Sequence, residues 1–215
     1  MKSKDKILVK VCGMRDAHNI KEIALLKPDF LGFIFYEPSP RNAIGIDRDI
    51  FTTLPDYIKP VGVYVDEDSQ TIINTTNYYG IKTIQLHGNE TPEFCHSLKE
   101  MGYKVLKAIR IPILAGADFF KSLEKYHGSV DMFVFDTEGK DPGGNGIKFD
   151  WDSLENYKLE IPYLLSGGIS LKDADYIIHR LPQRCLGVDI NSKFEISPGL
   201  KDSEMIENFI NKIKD

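Results

Sequence analysis

Cysteine is scarce: Cys12, Cys95 and Cys185 are the three among 215 residues. An odd count without metal-ligand spacing argues against both a disulfide framework and a zinc site. A basic excess is absent too, since 27 Lys and Arg face 32 Asp and Glu, a net charge of −5. With no basic stripe to neutralise a phosphate backbone, nucleic acid is not an expected partner, although a small anionic ligand needs only two or three local donors. Long apolar runs are also missing. Nothing approaches the ~20 residues of a membrane span. The opening M-K-S-K-D-K lacks the hydrophobic segment of a signal peptide, so a cytoplasmic location is expected. No linker, low-complexity tract or charge block divides the chain, which predicts one domain over residues 1–215. What is present is a 42% hydrophobic, 27% charged composition, that of a globular protein able to bury a substantial core.

Short β-branched runs ending in small or polar residues recur eight times: I-L-V-K-V-C-G (7–13), F-L-G-F-I-F-Y (30–36), P-V-G-V-Y-V (60–65), T-I-Q-L-H-G (83–88), K-V-L-K-A-I-R (104–110), M-F-V-F-D-T (132–137), Y-L-L-S-G-G (163–168) and L-G-V-D-I-N-S (186–192). Between them lie segments with helical apolar spacing. One runs from Asp16 to Leu26 with Ile20, Ile23 and Ala24 inward. Another is capped by Thr91 with Pro92 behind it and carries Phe94, Leu98 and Met101 to a stop at Gly102. The last, Ser203 to Ile213, is amphipathic through Met205, Ile206, Phe209, Ile210 and Ile213. Strand then helix, repeated eight times, predicts an α/β fold, a single (β/α)8 TIM barrel at the short end of its length range. A doubly wound open sheet is the competitor, but Cys12-Gly13-Met14 is no G-x-G-x-x-G fingerprint.

A barrel of this kind keeps its active site at the C-terminal ends of its strands. Cys12, Arg41, His87, Asp136, Gly167, Gly168 and the stretch Asp189 to Ser192 all fall there. Each has a bland alternative. Gly167-Gly168 with Asn191 and Ser192 can offer backbone N–H groups to a phosphate, or form an ordinary strand-to-helix turn. The stretch 136–151, with five Gly or Pro in sixteen residues, reads as a lid or as a surface connection. Asp136 follows four apolar residues. Desolvation there raises a carboxyl pKa and suits a general acid; the other reading is a cap for its loop. Cys12 is an ionisable nucleophile or an inert buried thiol. His87 is catalytic or structural, and Arg41 recognises a carboxylate bidentately or forms a surface pair.

Taken together the segments resemble the phosphoribosylanthranilate isomerase family over nearly the whole length. The resemblance rests on V-K-V-C-G-M, G-F-I-F-Y-E-P-S-P-R, V-G-V-Y-V-D, I-Q-L-H-G-N-E, D-T through G-G-N-G and F-D-W, L-S-G-G-I, D-I-N-S-K-F-E and S-P-G-L-K-D, in that order. It implies an isomerase of tryptophan biosynthesis. The reaction is the Amadori rearrangement of N-(5-phosphoribosyl)anthranilate to 1-(2-carboxyphenylamino)-1-deoxyribulose 5-phosphate. The substrate's own amine is the electron sink, so no metal or organic cofactor is implied. By the same resemblance Asp136 is the acid, Cys12 the base, Arg41 the partner of the anthranilate carboxylate and Asp189 an acceptor for the anilinic N–H. His87 also falls in the substrate site, and Gly167, Gly168, Asn191 and Ser192 hold the phosphate. The implied partner is a small phosphosugar, bound by a monomer or homodimer. One departure stands out: the family's Ser-Ser-Gly-Val-Glu run reads Asn191-Ser192-Lys193-Phe194-Glu195 here, which crowds the phosphate site or adds a charge to it. Two other readings remain. A sibling indole-glycerol-phosphate synthase would need catalytic lysines, for which Lys10 and Lys107 are available. The other is a non-catalytic phosphosugar-binding barrel.

Overall fold

The computed structural model describes residues 7–137 and 148–214. Eight parallel strands close into a barrel in chain order: β1 (Leu8–Cys12), β2 (Phe30–Ile34), β3 (Lys59–Tyr64), β4 (Thr83–Leu86), β5 (Lys104–Ile111), β6 (Met132–Thr137), β7 (Tyr163–Leu165) and β8 (Cys185–Ile190). The last pairs back on β1. The expected (β/α)8 barrel is therefore present, with every apolar run in a strand. Several runs outlast their strands. Gly13, His87, Gly88, Ser166 to Gly168, Asn191 and Ser192 lie beyond the ladder, where the chain turns away and builds the mouth.

Helices cover the outside: α1 (Ala17–Leu25), α2 (Asp49–Thr53), α3 (Ser69–Tyr79), α4 (Pro92–Glu100), α5 (Ala117–Ser122), α6 (Ala174–Arg180) and α7 (Ser203–Lys214). Their starts obey local chemistry. Asp16 accepts the Asn19 N–H ahead of α1, and Thr91 accepts the Phe94 N–H ahead of α4, satisfying donors that a first helical turn leaves free. The α7 stripe of Ile206, Phe209, Ile210 and Ile213 is buried as its spacing requires. Two details differ from the sequence reading. Met101 caps the end of α4 and is 56% exposed, while Cys95 and Leu98 fill the inward face. The sixth crossover carries no α-helix among the described residues, only a 3-10 turn, Trp151–Asn156. Its buried Trp151, Leu154 and Tyr157 recur every third residue, the period of a 3-10 helix. An antiparallel hairpin after β8, formed by β9 (Glu195–Ser197) and β10 (Leu200–Lys201), is additional to the barrel plan. No helix among the described residues is long and apolar enough to cross a membrane.

The two-residue period of a strand assigns every side chain to one of two layers. On β1, Val9 and Val11 join the large core between barrel and helices, whereas Cys12 packs inside the barrel with Val61 and Val63. Lys10 shares the face of Cys12. On β6, Phe133 and Phe135 face the helices while Val134 and Asp136 face inward, and on β8 Val188 and Ile190 face outward while Asp189 turns in. Lys107 alternates the other way. Its neighbours Leu106 and Ala108 are interior, so it points at the helical layer, where Glu90 lies 3.1 Å from its ammonium. That orientation removes it from any chemistry at the mouth.

Candidate active site

The C-terminal mouth opens on a pocket lined by residues from the strand ends. Cys12 lies on the β1 side of it. Ile34, Val63 and Val65 form an apolar wall from β2 and β3, Gln85 and His87 come from the end of β4, and Asp136 from β6. Gly167, Gly168, Asp189, Asn191, Ser192 and Lys193 close the β7–β8 side. Eight of the nine candidate residues therefore meet in one place. Arg41 is the one that does not line the cavity.

Asp136 is buried, its Oδ1 accepting the Thr137 N–H at 2.9 Å and its Oδ2 lying 3.3 Å from His87 Nε2. The His87 Nδ1 sits 3.2 Å from the Gln85 amide nitrogen. With that amide donating, Nδ1 accepts, which leaves an N–H on Nε2 facing Asp136. Gly167 is a glycine for a local reason. Its φ of +87° is left-handed, and a Cβ there would collide with Thr137 and stand 3.1 Å from Asp136 Oδ1. The turn is thus fitted to Thr137 and to the Asp136 carboxylate. The Ser170 N–H beyond it is not free for a ligand, because the Asp173 carboxylate already accepts it at 2.7 Å.

Cys12 is nine-tenths buried or more, and burial pushes its thiol up, against the opposing pull of the Lys10 ammonium. Lys10 itself is fully buried and 2.9 Å from Asp189 Oδ2. Burial alone would lower its pKa, but Asp189 and Cys12 together hold it above the ordinary value. Asp189 Oδ1 and Gln85 Oε1 are buried acceptors with no protein donor. Both residues line the cavity, so a ligand is the natural source of those donors.

Arg41 is held beside the mouth by a second charge cluster. Its Nε and Nη2 reach both oxygens of Glu195, at 2.7 to 3.0 Å. Glu195 also accepts from Lys201 Nζ at 2.6 Å, and Lys201 donates to Asn191 Oδ1 at 2.6 Å. The bidentate edge expected to grip a ligand carboxylate is therefore taken by Glu195, which leaves Nη1. Gly13, with φ +79°, is required by this cluster: a Cβ would lie 2.8 Å from both Arg41 Cδ and Asn191 Oδ1. Sequence reasoning missed Gln85, Lys201 and the partnership of Lys10 with Asp189. The alternation that places Gln85 and Lys10 inward was readable, but the reach of Lys201 from the added hairpin was not. Of the stretch 136–151, read as a lid or as a surface connection, residues 138–147 lie outside the described residues.

The family model described as N-(5'phosphoribosyl)anthranilate (PRA) isomerase matches residues 9–212. The N-(5'-phosphoribosyl)anthranilate isomerase of Parabacteroides distasonis is 44% identical over 209 residues, covering 96% of this chain and 93% of that one. Among solved structures, monomers generated from the dimeric phosphoribosylanthranilate isomerase of Thermotoga maritima are 27% identical, with a TM-score of 0.77 and coverage of 97% and 98%. A phosphoribosylanthranilate isomerase in complex with reduced 1-(o-carboxyphenylamino)-1-deoxyribulose 5-phosphate is likewise 27% identical, with a TM-score of 0.78 and the same coverage. With a model matched over almost the whole chain and a relative this similar, the chain belongs to the N-(5'-phosphoribosyl)anthranilate isomerase family.

Proposed function

We propose that this protein catalyses the Amadori rearrangement of N-(5'-phosphoribosyl)anthranilate in tryptophan biosynthesis, with Asp136 as acid and Cys12 as base. The observation that carries the assignment is that both side chains line one cavity, an acid and a thiol on different strands of the same mouth. Asp136, protonated, gives its proton to the ribose ring oxygen. The C1′–O bond breaks towards oxygen, and the anilinic lone pair forms a protonated Schiff base at C1′. The Cys12 thiolate then removes the C2′ proton. The C–H pair becomes the C1′–C2′ double bond, and the iminium pair returns to nitrogen. The enolamine tautomerises to the ketone. Asp136 ends ionised and Cys12 protonated, and solvent exchange restores both.

The charge layout supports one substrate orientation. The aromatic ring lies on the apolar wall of Ile34, Val63 and Val65, with its carboxylate towards Arg41 Nη1. The phosphate sits at Gly167, Gly168, Asn191 and Ser192, with Lys193 beside it. Asp189 Oδ1 accepts from the anilinic N–H, and His87 keeps Asp136 in place. All 215 residues serve as one catalytic domain, acting on a small phosphosugar in the cytoplasm as a monomer or homodimer without nucleic acid.

The test is turnover: purified protein is added to phosphoribosylanthranilate and loss of its fluorescence is monitored. Cys12→Ser is expected to fold and lose most activity. Retention of more than a tenth of the wild-type rate, a barrier change under ~1.4 kcal/mol, would remove Cys12 as the base.

A further inference from the structure

The reaction as written needs a thiolate, yet burial favours the thiol. Something beside Cys12 must stabilise the charge, and one buried group nearby has no part in the mechanism so far. Lys10 is two residues before Cys12 on the same interior face of β1, fully buried, and absent from the cavity wall. Register pairs Lys10 with Asp189 and Cys12 with Gly32. A Cβ on Gly32 would stand 2.8 Å from Cys12 Sγ and 3.2 Å from Lys10 Nζ. Sulfur and ammonium therefore flank the same notch, separated by no more than roughly 6 Å, the range in which a cation favours a neighbouring anion.

We propose that Lys10 is the positioning residue that stabilises the Cys12 thiolate as it forms for C2′ proton abstraction, with Asp189 fixing the ammonium and Gly32 leaving the gap across which it acts. The proposal rests on Cys12 being the base. Three charged groups face the sulfur: Lys10, Asp189 and Lys201. Lys201 is already engaged by Glu195 and Asn191, each at 2.6 Å. Lys10 is paired with Asp189 at 2.9 Å, and its contact with the Cys12 sulfur pulls the thiol down. Asp189 opposes thiolate formation by its own charge, so the pair helps only because the pull of the ammonium on the sulfur is the larger of the two. Gly32 gains a reason as well, since any side chain there would displace one group or the other.

The test reads the thiol without substrate. Alkylation of Cys12 by iodoacetamide is measured from pH 6 to 10 by peptide mass spectrometry in the wild type, Lys10→Met and Lys10→Arg. Lys10→Met should raise the apparent Cys12 pKa by about one unit or more and slow alkylation at pH 8 about tenfold. Lys10→Arg, which keeps the charge, should recover part of that loss. A folded Lys10→Met protein with the wild-type alkylation profile would overturn the proposal. If Lys10→Met fails to fold, Lys10→Met/Asp189→Asn is compared with Asp189→Asn alone, so that loss of the carboxylate's opposing charge cancels; identical alkylation profiles for those two would overturn the proposal. Turnover of Cys12→Ser is a separate measurement. Activity there would refute the base assignment, whereas an unshifted alkylation profile would refute only the role of Lys10.

Discussion

Lys10 and Asp189 are register partners across the seam where β8 meets β1, and their side chains form an ion pair of 2.9 Å inside the barrel. The pair thus closes the sheet and stands beneath the chemistry. Breaking one member of a buried pair leaves an uncompensated charge, which costs several kcal/mol, while removing both is often near neutral. Asp189→Asn is therefore expected to destabilise the fold by roughly 3 kcal/mol, with Lys10→Met/Asp189→Asn regaining more than half of the loss. Urea denaturation of the two variants checks this. Equal stability of single and double variants would show that the pair contributes no coupling.

Asp136→Asn keeps the shape of the side chain but has no proton to deliver. Turnover should fall by at least about a hundredfold, the lower range for loss of a general acid, while product binding stays within a few-fold of wild type. Steady-state rates and a product titration separate the two effects. A variant with near-normal turnover would take Asp136 out of the mechanism.

Lys193 is exposed on the 3-10 turn Ser192–Phe194 at the β7–β8 side of the cavity. An exposed charge contact contributes up to about 1 kcal/mol. Lys193→Gln should then raise KM about two- to fivefold with little change in kcat, and the difference should shrink in high salt. An unchanged KM at low ionic strength would show that the lysine does not reach the phosphate.

Glu195 ties Arg41 to Lys201. Burial alone would raise its pKa, but the bonds from Arg41 and Lys201 prevail and hold it below its ordinary value of 4.5. A depressed folded-state carboxylate contributes stability that is fully present above the unfolded pKa and is lost as pH falls through the folded one. The wild type should therefore lose stability below about pH 4.5 more steeply than Glu195→Gln. Urea midpoints between pH 3 and 7 measure the slopes, and parallel curves would exclude this cluster as an acid-sensitive element.

The eight-strand plan was legible because each run is short, β-branched and separated by turn and helix signals that local chemistry enforces. The candidate residues were legible for a related reason. A barrel presents the last residues of each strand, and the first beyond it, at its mouth, so Cys12, His87, Asp136, Gly167 and Asp189 mark themselves by position. Met101 and the 3-10 turn at Trp151 were misread, because a periodic stretch does not say where a helix ends or how tightly it winds.

The sequence by itself determined the barrel, the family and most of the side chains that reach the mouth, since periodicity and strand-end position are local properties of the chain. Only the tertiary structure decided what those side chains are paired with. Lys10 meets Asp189 from 179 residues away, and Arg41 meets Glu195 from 154, because barrel closure and an unheralded hairpin bring distant segments together. Charge pairing depends on through-space distance in a buried medium, and that distance is set by register and packing rather than by sequence separation.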